Sequence, residues 1–277
     1  MIPRISLSES RPQFVHNFLS ELRESTFSGD IKHDFGTRLV TATDNSIYQV
    51  LPQAVVYPKN AEDIQTVLKI TEQQQFRQSI KITPRGGGTG TNGQSLTEGV
   101  VLDCSRFMNR ILETNFKDGW VRVEPGVVLD QLNEHLAPHK VFFAPDLSTS
   151  NRATLGGMVN TDACGKGSRI YGRTSDHIIE LTCILSSGEV LQSIPLDSET
   201  LAEYKQKSGI SGNVFKVVDQ VVSDKAELIQ EVFPKMSRFM TGYNLAKVYE
   251  NSAKNFNLNY LLSGSEGTLA VVSEAKL

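Results

Sequence analysis

The densest run of glycine in the chain, "TPRGGGTGTNG" at residues 83–93, follows directly on the apolar stretch "SIKI". Glycine has no Cβ, so Gly86, Gly87, Gly88 and Gly90 can take positive φ and turn successive N–H groups into one concavity. Such a nest binds phosphate oxygens, and the hydroxyl of Thr89 can add a donor. A plain flexible turn needs fewer glycines and does not usually sit between two buried strands. "GTGTNG" at 88–93 also satisfies G-x-G-x-x-G, but that pattern cradles a dinucleotide only where a helix opens at the last glycines. Here only "QSLTEG" separates Gly93 from the strand-like "VVLD", and no Lys-Ser or Lys-Thr follows to make a P-loop. The expectation is an anion-binding loop outside both frameworks.

Two later stretches share this texture. "PDLSTSNRATLGGMVNTDACGKGSRIYG", residues 145–172, is a long polar run with paired Gly156 and Gly157, then Gly165 and Gly167. Polar loops of this length inside compact domains are usually functional or disordered. "SGSEGTLA", residues 263–270, sets Glu266 and Gly267 between two strand-like segments.

The titratable residues that could suggest other chemistry read as structural. His135 and His139 lie four apart beside Glu134, but the order is not H-E-x-x-H, and Pro138 breaks the helix needed to align the rings. His177, next to Asp176, reads as part of a turn into a strand. Cys104, Cys164 and Cys183 are too few and too scattered for a four-cysteine metal or cluster site, and Cys164 reads as a buried small residue. No metal site is expected.

The elements that must position these loops follow from periodicity. In "PQFVHNFLSELR", Phe14, Val15, Phe18, Leu19 and Leu22 share one helical face behind Pro12. A looser polar stretch runs on through "TATDNSIYQV". "AVVYP" reads as a strand, Asn60 as the cap of the helix "AEDIQTVLKITEQQQ", and "SIKITP" and "GVVLD" as strands flanking the glycine run. This is an α/β unit. After Ser105, "RILETN" and "WVRVEPG" read as strands around "KDG", "VVLDQLNEHL" as a short helix, and "IIELTCILSSGEVLQS" as a hairpin. Residues 198–232 are expected to be helical, and "NYLLSGSEGTLAVVSEAKL" to return to strands. The boundaries expected are an N-terminal helical extension over 1–40, a first lobe over 41–105 and a second over 106–277.

Composition narrows the function classes. A net charge of −3 with no basic run excludes a nucleic-acid surface as an expectation. No apolar stretch is long enough to span a bilayer, the N-terminus lacks the apolar segment of a signal peptide, and cysteine usage favours the reducing cytoplasm.

Taken in order, "PRGGGTG", "ATLGGMVNTDACG…YG" and "GSEGTLAVVSE" resemble the flavin-binding module of the vanillyl-alcohol oxidase and p-cresol methylhydroxylase (PCMH-type) family. "ATDNSIY" and "PQAVVYPKNAEDIQTVL" resemble the opening of that module, so the likeness runs from about residue 40 to the end. It is greatest to the bacterial FAD-linked oxidases of the D-2-hydroxyacid dehydrogenase branch. The resemblance implies an α+β, two-lobed fold with FAD between an N-terminal α/β lobe and a second lobe bearing a mainly antiparallel sheet. It implies that Arg85, Gly86, Gly87, Gly88, Thr89 and Gly90, with Asn92 and Gly93, surround the pyrophosphate. Asp146, Thr154, Gly156, Gly157 and Gly165 would line the flavin and ribityl side, with Ile178, Glu266 and Gly267 nearby. Asp162 and Cys164 stand where many relatives carry smaller residues. Thr89 stands where berberine-bridge-type relatives carry a flavin-linking histidine, so non-covalent FAD is implied.

The activity implied is oxidation of a D-2-hydroxyacid, first D-2-hydroxyglutarate and then D-lactate or glycolate, by hydride transfer to flavin N5 with an electron acceptor to follow. Substrate-clamping residues, the catalytic base and any iron–sulfur cluster are expected in sequence downstream of this chain, so residues 1–277 alone are expected to be inactive. Two alternatives stay open. One is a nucleotide-sugar reductase on the same fold, against which the absence of a "G-S-N" in the first loop counts. The other is a non-catalytic nucleotide-binding or electron-transfer module.

Overall fold

The computed structural model describes residues 11–236, 242–249 and 255–277, so the first ten residues of the expected extension lie outside the described part. Its first layer is a four-stranded sheet of β1 (Asp30–Lys32), β2 (Ala54–Tyr57), β3 (Ile82–Arg85) and β4 (Val100–Asp103), in the order β1-β2-β4-β3. β2 and β3 both run parallel to the central β4, and β1 is antiparallel to β2. All four residues of β4 are buried, the apolar Val100, Val101 and Leu102 as a central strand covered on both faces requires, and Asp103 at its end with them.

Helix α1 (Gln13–Glu24) buries Val15, Phe18, Leu19 and Leu22, a 3-1-3 spacing that makes one apolar stripe. That stripe shares a core with Val56 and Leu102 of the sheet and Ile64 and Val67 of a later helix. Phe18 meets Phe76 edge to face at 5.6 Å. The stretch 13–40 is therefore part of the first lobe's packing and supplies its edge strand β1. The turn-length helix α2 (Phe35–Val40) also lies in this stretch, capped by Asp34, which accepts from the Thr37 N–H. Sequence periodicity passes over both because a three-residue strand is specified by its partner, not by its own alternation.

Helix α3 (Ala61–Thr71) links β2 to β3 and begins as expected at Asn60, whose Oδ1 accepts from Asp63 N–H at 2.8 Å. Asp63 in turn accepts from the Ser28 and Lys59 N–H groups. Asn60→Ala is expected to destabilise the fold by about 1 kcal/mol, read as a lower urea midpoint with unchanged slope. An unchanged midpoint would remove the cap from the account.

The second layer is a wholly antiparallel sheet of β5 (Ile111–Asn115), β6 (Trp120–Val123), β7 (Glu180–Ile184), β8 (Val190–Ser193) and β9 (Val271–Lys276), ordered β5-β6-β9-β7-β8. Its two hairpin turns use Gly119 and Gly188 at φ 72° and 80°. Around it lie α4 (Leu129–Leu136), α5 (Leu155–Thr161), α6 (Ser168–Tyr171), α7 (Ser198–Gln206), α8 (Gly209–Asp224), α9 (Ala226–Val232) and α10 (Asn259–Leu262). Two expectations need correction. "NYLL" is the helical turn α10, and the long polar stretch 145–172 contains α5 and α6. In α5, Leu155, Met158 and Val159 are buried at i, i+3 and i+4, too short a pattern to stand out among so many small polar residues. The architecture is α+β in two lobes. Ile184 and Val271 reach from the second sheet into the first core and join them.

Candidate functional site

A cleft of about 300 Å³ opens between the two sheets, and all three glycine-rich stretches reach it. The first leaves the end of β3. Among the described residues, none of the N–H groups from Gly86 to Thr91 donates a hydrogen bond within the chain. Six consecutive donors left unpaired in a glycine-rich loop beside a cleft are an arrangement that can take an anion.

The glycines serve that loop differently from the sequence expectation. Of the four expected to adopt positive φ, only Gly88 does, at 61°, and Gly93 adds a second at 76°. Gly86 and Gly87 are needed for close approach of protein to protein. A Cβ on Gly86 would overlap the Thr154 hydroxyl, and one on Gly87 the Arg152 carbonyl oxygen. The first and second stretches thus pack backbone against backbone, and the loop can have no side chain there.

Arg85 lines the cleft but is already engaged. Its guanidinium donates to the Thr43 carbonyl at 2.7 Å, the Thr41 carbonyl at 3.4 Å and Ser95 Oγ at 3.2 Å. It clasps residues 41–44 beneath the nest. Burial pulls its pKa down, against the pull of Asp103 and Asp44. Asp103 is pushed up by burial despite accepting from Ser105.

The second stretch enters through α5. Thr154 caps it, and Asn160, near its end, fastens the third stretch to it: the Asn160 carbonyl accepts from Glu266 N–H at 2.8 Å and its Oδ1 from Gly267 N–H at 3.1 Å. Gly267, at φ 75°, presses on Pro84, where a Cβ would come within 2.8 Å of Cγ. α5 ends on Asp162 in the left-handed region, φ 45°, with its carboxylate 3.2 Å from the buried guanidinium of Arg173 and accepting from Ser175 N–H at 2.9 Å. Burial raises the Glu266 carboxyl, against a hydrogen bond from Gln94.

Of the residues expected at a cofactor, Arg85 to Gly90, Asn92, Thr154, Gly156, Gly157, Glu266 and Gly267 line the cleft. Gly93, Asp146, Gly165 and Ile178 do not. Gly165 is glycine because its Cβ would strike the Asp146 carbonyl, in a backbone bridge that pairs Asp146 with Lys166. Ile178 is 7% exposed within the second core. The cleft also takes in Asn160, Arg173, Gly242, Asn244 and Ser263, which the sequence reading did not select. Arg173 and the 242–249 segment carry no glycine cluster, the one signal that marked the other stretches.

The histidines lie elsewhere. His139 stacks on Phe116 with ring centroids 3.5 Å apart, His135 Nε2 is 2.9 Å from Thr114 Oγ1, and His177 Nε2 is 2.7 Å from the Tyr171 carbonyl. No cluster of metal-binding side chains occurs among the described residues, and no helix there is long and apolar enough to cross a membrane.

Residues 52–193 match the family model described as an FAD binding domain. The chain is 50% identical over its whole length to D-2-hydroxyglutarate dehydrogenase of Escherichia coli (strain K12). It is 53% identical over 94% of its length to the enzyme of the same name from Pseudomonas putida. It spans only 27% and 26% of those two proteins, about a quarter of their length. Among solved structures, alkyldihydroxyacetonephosphate synthase superposes over 99% of this chain and 41% of its own, with a TM-score of 0.66 at 18% identity. That likeness is one of fold.

Proposed function

The chain belongs to the FAD binding domain family, and from that premise we propose that it is the cofactor-binding part of an enzyme oxidising D-2-hydroxyglutarate to the 2-oxoacid. FAD is its cofactor. The residues fit the group: residues 86–91 line a cleft rich in glycine and small side chains, and their six N–H groups have no partner in the chain, which suits a pyrophosphate-bearing dinucleotide. The observation that carries the substrate is the 50% identity to a D-2-hydroxyglutarate dehydrogenase across the entire chain.

Bound FAD supplies flavin N5, the acceptor of the hydride from C2 of the substrate. The chain's own residues bind and orient. The nest from Gly86 to Thr91 holds the pyrophosphate, while Arg85 keeps that loop in place by gripping the Thr41 and Thr43 carbonyls. The Asn160 clamp fixes the 263–268 turn against α5, closing one wall. Asp162 and Arg173 place a matched charge pair in that wall. We assign the substrate's carboxylate clamp and the base to the part of the relatives' length that this chain does not span. Attachment is non-covalent, with Thr89 in the first loop. A cytoplasmic location and a separate electron acceptor complete the reading.

The test is made on a protein of the relatives' full length that carries these 277 residues. Purified protein is expected to show a flavin spectrum and to reduce an artificial acceptor with D-2-hydroxyglutarate but not its L-enantiomer. Preference for D-lactate or glycolate would reject the substrate, and protein that takes up no FAD would reject the cofactor reading itself.

A further inference from the structure

Asn244 is 7% exposed and lines the cleft, although Gly242 and Tyr243 beside it are exposed. Its side-chain amide makes no hydrogen bond within the chain, and this sets it apart from Asn160, whose amide donates to the Gly156 carbonyl and accepts from Gly267 N–H. It precedes a 3₁₀ turn, Leu245–Lys247, without capping it. The residue is largely covered, yet its amide keeps some access to the cleft and has no partner in the chain, so its hydrogen-bonding groups are available to a ligand.

Its placement is held from both sides. The Tyr243 hydroxyl lies 2.8 Å from Thr268 Oγ1 on the third glycine-rich stretch. Lys247 Nζ donates to Asp176 Oδ1 at 2.7 Å, beside the second stretch, and sits 4.8 Å from the Tyr260 ring centroid. Asp176 also accepts from Arg173 N–H through its other oxygen. The segment 242–249 is thus pinned to both later walls of the cleft, with the free amide between the pins.

We propose that the Asn244 amide is a hydrogen-bonding ligand of the bound dinucleotide, outside the pyrophosphate nest. An amide offers an acceptor and two donors side by side. That pattern complements the edge of a heteroaromatic ring or a sugar hydroxyl, chemistry that both halves of FAD possess. The proposal rests on the reading of this cleft as the FAD site.

The experiment uses the full chain stripped of cofactor and titrated with FAD, ADP and FMN, with thermal melts of apo and loaded protein. Asn244→Ala is expected to weaken FAD binding about 3- to 10-fold, the worth of one neutral hydrogen bond. Weakened ADP binding places the contact on the adenosine half, and weakened FMN binding on the flavin half. The apo melt is expected to stay unchanged, because no hydrogen bond within the chain is removed, while the stabilisation conferred by FAD shrinks. A purely structural residue would show the reverse. If Asn244→Ala binds FAD as the parent does, the proposal is overturned and the cofactor reading stands. If the parent chain binds no FAD, both fall.

Discussion

Gly87→Val is expected to leave the chain unable to retain FAD through purification. The reason lies in the wall behind the nest. A Cβ at this position would overlap the Arg152 carbonyl oxygen and come within 3.0 Å of its carbon, and both are backbone atoms that cannot rotate away. The loop from Gly86 to Thr91 would have to lift off the second stretch, and its free N–H groups would no longer converge. Overpacking of this kind costs about 1–3 kcal/mol. Expressed in binding, that is about 5- to 150-fold in affinity. Fluorescence titration of apo protein with FAD gives the number, with circular dichroism to confirm that the variant remains folded. Parent-like affinity would show that this loop does not hold the pyrophosphate.

The largest loss of stability is expected from Asp162→Ala. Its carboxylate is buried against the Arg173 guanidinium at 3.2 Å, and the two side chains are 9% and 3% exposed. Removing one member of a buried pair costs about 3–5 kcal/mol, because the other charge stays desolvated. Asp162 also satisfies the Ser175 N–H, so a second buried donor loses its acceptor. Replacing both charges together, as Asp162→Ala with Arg173→Met, is expected to recover part of the loss. Chemical denaturation of the three variants forms the cycle that isolates the pair. A single variant within about 0.5 kcal/mol of the parent would mean that water or Arg173's other contacts compensate it.

The glycine run at 86–93 was legible as an expected anion-binding loop because bare backbone shows in residue type alone. The same holds for the Asn60 cap, the apolar stripe of α1 and the hairpins at Gly119 and Gly188, each read from fewer than twenty consecutive residues. The free N–H groups of the nest, the α+β class and the FAD reading followed from these local signals together with the resemblance of three ordered stretches.

Which partner each glycine faces was not legible. Gly86 and Gly87 are bare because Thr154 and Arg152, more than sixty residues away, press against them, and Gly165 because it crosses the Asp146 backbone. The Asp162–Arg173 pair, the clamp from Asn160 to Gly267 and the covering of Asn244 likewise depend on residues brought together from separate stretches. β9 slots between β6 and β7, and β1 is a strand only because β2 accepts it. Sequence determined the local conformations and the loops that could meet a phosphate, since those depend on propensity and on the presence or absence of a side chain. Only the tertiary structure decided which of those loops share one cleft and which polar groups are buried there, because both depend on contacts between residues far apart in the chain.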